Sequence, residues 1–130
     1  MNSSIGRRFS YLNDLYVLEC KGSNYGWEQP TIRGTPPTER ESHSCVFYRG
    51  QIENRPKLII YGGMNGHRLG DLWSFHLGIQ SFIFTLDSRL TYFVFIKDFS
   101  QWTQITASGL APQPRSLHSS VIIGHRYVLL

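Results

Sequence analysis

The chain has 130 residues, of which 41% are apolar and 14% aromatic, values typical of a globular protein rather than a disordered one. Its 13 lysines and arginines outnumber its 9 acidic residues, but they are scattered and only Arg7 and Arg8 are adjacent. Because no basic stripe alternates with stacking aromatic residues, direct nucleic-acid binding is not expected.

The N-terminal part of the chain bears on its compartment. Residues 1–12 form a tail without the apolar core of a signal peptide. Cys20 and Cys45 lie in apolar strand patterns and form no Cys-x-x-Cys pair. Since such cysteines are usually buried, reduced thiols, they favour an intracellular location.

Residues 13–41 read as a partial structural unit followed by a linker. Asp14 opens a predicted strand after a polar turn, where its carboxylate can cap local N–H groups. Trp27 belongs to the following strand, and we expect its large ring to pack between neighbouring sheets.

A complete unit of four short strands is predicted between residues 42 and 106. Serine, β-branched and aromatic residues dominate these strands and turn signals separate them; the strands cover residues 42–48, 57–61, 71–75 and 102–106. Gly62 and Gly63 follow the second strand, where paired glycines permit positive φ and a close approach of other backbone.

The unit is interrupted by an insertion at about residues 77–99. It reads as a hairpin in which residues 82–86 and 90–96 flank a polar turn at 87–89. Its charged residues leave no run of the roughly 20 apolar residues that a membrane span needs. One interpretation is a partner-docking edge, and the other is intervening gene sequence translated in frame. Residues 90–96 carry no charge and no proline, so this stretch is aggregation-prone if exposed.

Residues 107–130 comprise a linker and the start of a third unit, and they establish that the sequence repeats.

Matched residues recur with an offset of 75; the pairs are Trp27 and Trp102, Arg40 and Arg115, and His43 and His118. Asp14 and Asp71 are instead offset by 57, so the period is about 57 and the insertion contributes about 18 residues. Repeated units stack on their neighbours to bury their apolar faces.

The sequence offers little support for catalysis. His43 and His118 occupy one repeat position, so they belong to different units and cannot converge on one metal ion; we expect backbone partners for them. Arg40 and Arg115 also recur, which predicts a repeated structural bond to neighbouring backbone. No nucleophile motif, phosphate loop or metal-ligand set is present. We therefore predict no enzyme, no metal and no cofactor.

The repeated landmarks resemble the kelch repeat. They are Arg-x-x-His-Ser in the first strand, Gly-Gly after the second, Asp-Leu-Tyr/Trp in the third and Trp in the fourth. The resemblance implies an all-β fragment of a kelch β-propeller, with about one full blade and two partial blades of four-stranded antiparallel sheet. The structural repeat positions are then Trp27, Arg40, His43, Gly62, Gly63, Asp71, Trp102, Arg115 and His118.

The longer run Arg-Leu-Gly-Asp-Leu-Trp at residues 68–73 narrows the resemblance to the N-terminal kelch propeller of the host cell factor family. That resemblance implies a protein-interaction scaffold in a nuclear transcriptional coregulator. Such a scaffold captures activators through a short acidic-His-x-Tyr motif and tethers chromatin-modifying complexes. The candidate peptide-binding residues are those expected between strands, namely Arg33, Met64, Asn65, His67 and Arg68.

Two alternatives remain at this stage. A kelch substrate receptor of a ubiquitin ligase, with a cytoplasmic location, would need a ligase-docking domain that this chain does not show. Actin bundling would need a complete propeller and has no feature of its own here.

Overall fold

The computed structural model describes residues 10–49, 56–87, 90–97 and 100–130, and its regular structure there is entirely β-strand. The strands are β1 (Val17–Lys21), β2 (Asn24–Glu28), β3 (Ile32–Arg33), β4 (Ser44–Arg49), β5 (Pro56–Met64), β6 (Arg68–His76), β7 (Ile79–Asp87), β8 (Leu90–Lys97), β9 (Ser100–Ile105), β10 (Val121–Ile123) and β11 (Tyr127–Leu129). No helix in these ranges is long and apolar enough to cross a bilayer.

The central sheet contains the complete blade. Its strand order is β3-β9-β6-β5-β4, in which β4, β5, β6 and β9 are mutually antiparallel neighbours and β3 pairs in parallel with β9. This arrangement confirms the predicted all-β fold class with a four-stranded blade. The second and third strands are longer than predicted, and β3 was not predicted.

The two partial blades are two-stranded hairpins, β1-β2 and β10-β11. In the first hairpin Leu18 pairs with Trp27, and in the central blade Phe75 pairs with Trp102. Leu18 and Phe75 differ by 57 positions, whereas Trp27 and Trp102 differ by 75, so the strand register reproduces both offsets.

The inserted segment forms a separate two-stranded sheet from β7 and β8, so the predicted hairpin is present with longer strands. Ser88 and Arg89, two of the three residues of the predicted turn, lie outside the described residues. The insertion does not interrupt the blade, because His76 at the end of β6 still pairs with Gln101 in β9.

The core lies on one face of the central sheet. Ile60, Phe75 and Trp102 are buried there, and the rings of Phe75 and Trp102 are 4.8 Å apart between centroids. Leu15, just before β1, packs against this cluster. The opposite face carries Ser44 and contacts the third unit.

Three expectations about burial were wrong. Cys20 and Cys45 are both exposed, so the argument from buried thiols to an intracellular location loses its basis. Cys45 pairs with Ile60 and lies on the core face, but it stands on the edge strand β4, beyond the core cluster that is centred on β5, β6 and β9. Trp27 is 71% exposed, since the described structure contains no second sheet that covers the β1-β2 hairpin.

Candidate functional site

One end of the central blade gathers loops from three parts of the chain. We call residues 38–41, 64–68 and 112–118 the loop edge. Backbone hydrogen bonds join them: Glu41 and Met64 exchange two bonds of 2.9 Å, the Gly63 amide donates to the Arg115 carbonyl, and the Arg115 amide donates to the Leu69 carbonyl. The loop edge is therefore a fixed surface, because main-chain bonds set its geometry.

Arg40 is the central polar group of the loop edge. Arg40 is 6% exposed, and its guanidinium forms a bidentate contact with the Asp71 carboxylate, with distances of 2.6 and 2.8 Å. It also donates to the carbonyl oxygens of Thr38 and Gly62, at 3.1 and 3.0 Å. The predicted bond to backbone is present, and the ion pair with Asp71 adds a side-chain partner that was not predicted.

Asp71 is held as an anion by this arrangement. Desolvation, the largest single influence, raises the pKa of Asp71, but hydrogen bonds from Arg40 and Trp73 and the positive charge of Arg40 together outweigh it. The net result is a pKa below the usual value for an aspartate. The Trp73 indole N–H donates to this carboxylate at 2.6 Å, so one carboxylate fixes two neighbouring side chains.

The linker after β9 closes over the glycine pair. Gly62 has φ +64°, and a Cβ there would lie 2.5 Å from the Arg115 carbonyl oxygen. The Tyr61 hydroxyl donates to the Pro112 carbonyl at 2.8 Å, which fixes the start of the same linker. Glycine is required at this point because both its backbone conformation and the approach of the linker exclude a side chain.

His118 connects two units through a side chain. Its Nε2 lies 2.8 Å from the Ser44 hydroxyl, and its ring contacts the Tyr61 ring edge-on at 5.7 Å between centroids. The expectation of a backbone partner for His118 is therefore wrong. A repeated histidine can bond to the hydroxyl of the preceding blade because stacked units bring equivalent strands face to face.

His43 lies at the same repeat position and supplies a prediction about pH. Desolvation, followed by the positive charges of Arg40 and His118, lowers the pKa of His43 below 6.5. The unfolded chain therefore binds a proton at His43 more readily than the folded chain does. The stability that neutral His43 contributes is complete above about pH 6.5, and it is lost as the pH falls towards the pKa of His43 in the folded chain.

We expect His43→Gln to reduce the loss of stability between pH 7 and pH 5, as measured by urea unfolding at several pH values. If the variant loses as much stability between pH 7 and pH 5 as the wild-type chain, His43 is not the group responsible for the loss.

Four of the five candidate peptide-binding residues lie at the loop edge. Asn65 and His67 belong to the turn between β5 and β6, while Met64 and Arg68 are the strand residues that flank it. His67 and Arg68 are exposed, and Met64 and Asn65 are partly buried. The expectation that all of them lie between strands was wrong for Met64 and Arg68, which end and begin strands.

Arg33 is not part of this surface. It lies in β3 beside Gln101, which pairs with His76 at the far end of β6 from Arg68. Eight strand steps of about 3.3 Å separate the two ends of β6 by roughly 26 Å. Its selection as a loop residue was wrong, because β3 is too short to leave a strand pattern in the sequence.

The sequence analysis missed two features of the loop edge. The amide oxygen of Asn65 is buried and has no hydrogen-bond partner among the described residues, although its amide nitrogen lies 3.5 Å from the Thr38 hydroxyl. A cleft of about 540 Å³ lies beside Arg40 and Glu41, and its other lining residues are Ser10, Tyr11 and Leu12. Neither feature carries a sequence signal, since each depends on contacts between distant segments.

No group of three or more His, Cys, Asp or Glu side chains in the described ranges is arranged to hold a metal ion. The known groups at the loop edge are hydrogen-bond donors and acceptors, one largely buried ion pair, and exposed side chains of both signs, namely Glu39, Glu41 and Arg68. Such a surface can recognise a polar or acidic segment of another protein.

Comparison with known proteins agrees with this architecture. The chain is 43% identical over 118 residues to Host cell factor 1 of Homo sapiens, which covers 89% of the chain and 5% of that protein. It is 38% identical over 119 residues to Host cell factor of Drosophila melanogaster, with 89% of the chain and 7% of that protein covered. It is 28% identical over 121 residues to Acyl-CoA-binding domain-containing protein 5 of Arabidopsis thaliana, and this alignment covers 93% of the chain and 15% of that protein.

The chain thus spans only a small part of these relatives. No solved structure matches it significantly. A family model described as the KLHDC2/KLHL20/DRC7 Kelch-repeats domain matches residues 4–130. With its blade, its glycine pair and its repeated arginine and histidine in place, the chain belongs to the kelch-repeat family.

Proposed function

We propose that the chain is a non-catalytic protein-interaction module, which contributes kelch blades to a host cell factor-like transcriptional coregulator. In this proposal it binds activators that carry an acidic-His-x-Tyr motif, and the larger protein tethers chromatin-modifying complexes in the nucleus. The similarity to host cell factor proteins over 89% of the chain supports this assignment.

The single observation that carries the proposal is the turn between β5 and β6. It combines an unpartnered, buried amide oxygen on Asn65 with the exposed cationic side chain of Arg68, on a backbone fixed through Met64 and Glu41. An extended peptide could place its acidic residue against Arg68. Its backbone N–H could reach the Asn65 oxygen only after that side chain turns outward, because the oxygen is shielded from solvent. The site proposed here therefore comprises Met64, Asn65, His67 and Arg68.

A peptide titration tests this proposal. We expect a fluorescent acidic-His-x-Tyr peptide to bind the protein, and Arg68→Glu to weaken binding by about tenfold or more because like charges then face each other. Arg126→Glu is the matched control, since Arg126 is an exposed arginine in the turn between β10 and β11 at the opposite end of the molecule. Equal loss in both variants would show that net charge, not this site, governs binding.

The titration should be run on the 130-residue chain and on the longest product of its gene. A peptide whose histidine and tyrosine are replaced by alanine provides the specificity control. Failure of both proteins to bind the intact motif would remove the proposed function. Nuclear location is tested separately by imaging the tagged full-length product in its own cells.

A further inference from the structure

The turn between β5 and β6 contains an asparagine followed directly by a glycine, Asn65-Gly66. Asparagine is one of the thermolabile residues of proteins, because the backbone nitrogen of the next residue can attack its side-chain amide. Glycine favours this attack most, since it has no Cβ that shields its nitrogen and its backbone is the most adaptable. Of the five asparagines in the chain, Asn65 alone precedes a glycine.

The structure leaves room for this attack at Gly66. A Cβ added there would meet no atom within 4 Å, and both Gly66 and His67 are exposed. The Asn65 amide donates to the His67 carbonyl at 3.2 Å, which anchors the turn. Among the residues that the structure describes, no carbonyl accepts a hydrogen bond from the Gly66 amide. The nitrogen that would attack is therefore open to solvent and is not engaged in the backbone ladder.

The side-chain amide of Asn65 is held weakly. Its nitrogen lies 3.5 Å from the Thr38 hydroxyl oxygen, which is longer than the roughly 2.7–3.2 Å of an ordinary N–H···O bond. Its oxygen is buried and has no partner within the described part of the chain. Because a buried, unpartnered oxygen is itself unfavourable, little energy opposes rotation of this amide towards the Gly66 nitrogen.

The other two asparagines in the described ranges are in less reactive surroundings. Asn13 donates from its side-chain amide to the Pro37 carbonyl at 3.3 Å, and it precedes Asp14. Asn24 begins β2, where its backbone belongs to a strand ladder, and it precedes Tyr25. In both cases the side chain of the following residue hinders access to the nitrogen that would attack.

We propose that Asn65 is a site of spontaneous deamidation. The Gly66 nitrogen loses its proton to water and forms a bond to Cγ of Asn65, the bond from Cγ to Nδ2 breaks, and ammonia leaves with a proton taken from solvent. Water then opens the resulting succinimide ring at either of its two carbonyl groups. The products are aspartate and isoaspartate, and each carries a negative charge that asparagine lacks.

The new charge arises inside the proposed peptide-binding site, so its consequence rests on the proposed function. Arg68 pairs with Met64 across this turn, and Arg68 is the cation that meets the acidic residue of the peptide. A carboxylate in place of the Asn65 amide competes for Arg68 and repels an acidic peptide. Isoaspartate also adds a methylene to the backbone, which separates the amide at position 65 from the His67 carbonyl. Deamidation therefore lowers the affinity of the loop edge as the protein ages.

Peptide mapping of the aged chain tests the chemistry. The purified 130-residue chain is kept in mildly alkaline buffer at physiological temperature and is then digested with trypsin, which releases residues 58–68 with Asn65 as their one side-chain amide. We expect the aspartate and isoaspartate forms of this peptide to accumulate about tenfold or more faster than deamidation at Asn24, an exposed asparagine without a following glycine. Equal rates at Asn65 and Asn24, or no conversion at Asn65, would overturn the proposal.

Gly66→Ala is the matched variant. Alanine meets no neighbouring atom there, although the φ of +95° strains it, so circular dichroism is used to check that the variant folds. We expect deamidation at Asn65 to slow by about tenfold or more in this variant, because the new Cβ shields the nitrogen. Deamidation at the wild-type rate would contradict the proposed route. The comparison with Asn24 requires no variant, so it decides the question even if Gly66→Ala does not fold.

A titration with the fluorescent acidic-His-x-Tyr peptide tests the consequence. We expect ageing to weaken binding by the wild-type chain but not by Gly66→Ala, and Asn65→Asp to bind about fivefold or more weakly than Asn65→Gln. Equal binding by fresh and fully deamidated wild-type chains would overturn the effect on affinity and leave the proposed function intact. If the fresh chain does not bind, the proposed function and this effect fall together, while the deamidation site stands on the peptide map alone.

Discussion

Replacing Arg40 by leucine is expected to lower the free energy of unfolding by about 2–3 kcal/mol. The substitution leaves the Asp71 carboxylate and the Gly62 carbonyl without their guanidinium partner. Breaking a fully buried ion pair from one side costs about 3–5 kcal/mol, and the expected loss is smaller here because the Asp71 side chain is 25% exposed.

Urea unfolding followed by tryptophan fluorescence measures this loss. The control is Lys21→Met, which removes an ion pair with Glu19 whose side chains are 73% and 42% exposed. Solvent screens such a pair, so the control should unfold at the same urea concentration as the wild-type chain. Equal destabilisation in both variants would mean that the Arg40 network does not hold the blade together.

Gly62→Ala is expected to destabilise the chain by about 3 kcal/mol or more. Part of this loss, about 1–2 kcal/mol, comes from placing an alanine at positive φ. The rest comes from the new Cβ, which would lie 2.5 Å from the Arg115 carbonyl and 3.1 Å from the Leu69 carbonyl. Both oxygens belong to the backbone, so relief requires the linker after β9 to move.

Gly22→Ala separates these two contributions. Gly22 has φ +61°, nearly the same as the +64° of Gly62, but a Cβ there would meet nothing within 4 Å. We therefore expect Gly22→Ala to lower the free energy of unfolding only by the 1–2 kcal/mol, roughly, that an alanine at positive φ costs. If the two variants lose equal stability in urea unfolding, the close contact between Gly62 and the linker does not contribute.

Sequence reasoning succeeded where a residue type is dictated by its immediate surroundings. The glycine pair, the Asp-Leu motif and the repeated Trp lie within β5, β6 and β9, one set in each of three strands, so their order and spacing were enough to predict the central blade. The insertion was also evident, because two sets of landmarks with different offsets cannot share one period.

Sequence reasoning failed where the burial or position of a residue depends on contacts between distant segments of the chain. Trp27 and Trp102 have the same local sequence role, yet only Trp102 has a covering layer in this structure. Arg33 and Arg68 both stood outside the predicted strands, and only the strand pairing shows that they occupy opposite ends of the sheet. The Arg40–Asp71 pair links residues 31 positions apart, and no periodicity specifies that distance.

In the proposed function, the loop edge is the surface that meets a partner protein. Hydrogen exchange with mass spectrometry, with and without the acidic-His-x-Tyr peptide, tests this claim most directly. We predict slower amide exchange in residues 38–41, 64–68 and 112–118, and no change at 124–127, where the β10-β11 turn lies at the other end of the molecule. Protection that appears only at 124–127, or nowhere, while the peptide is bound would contradict the account.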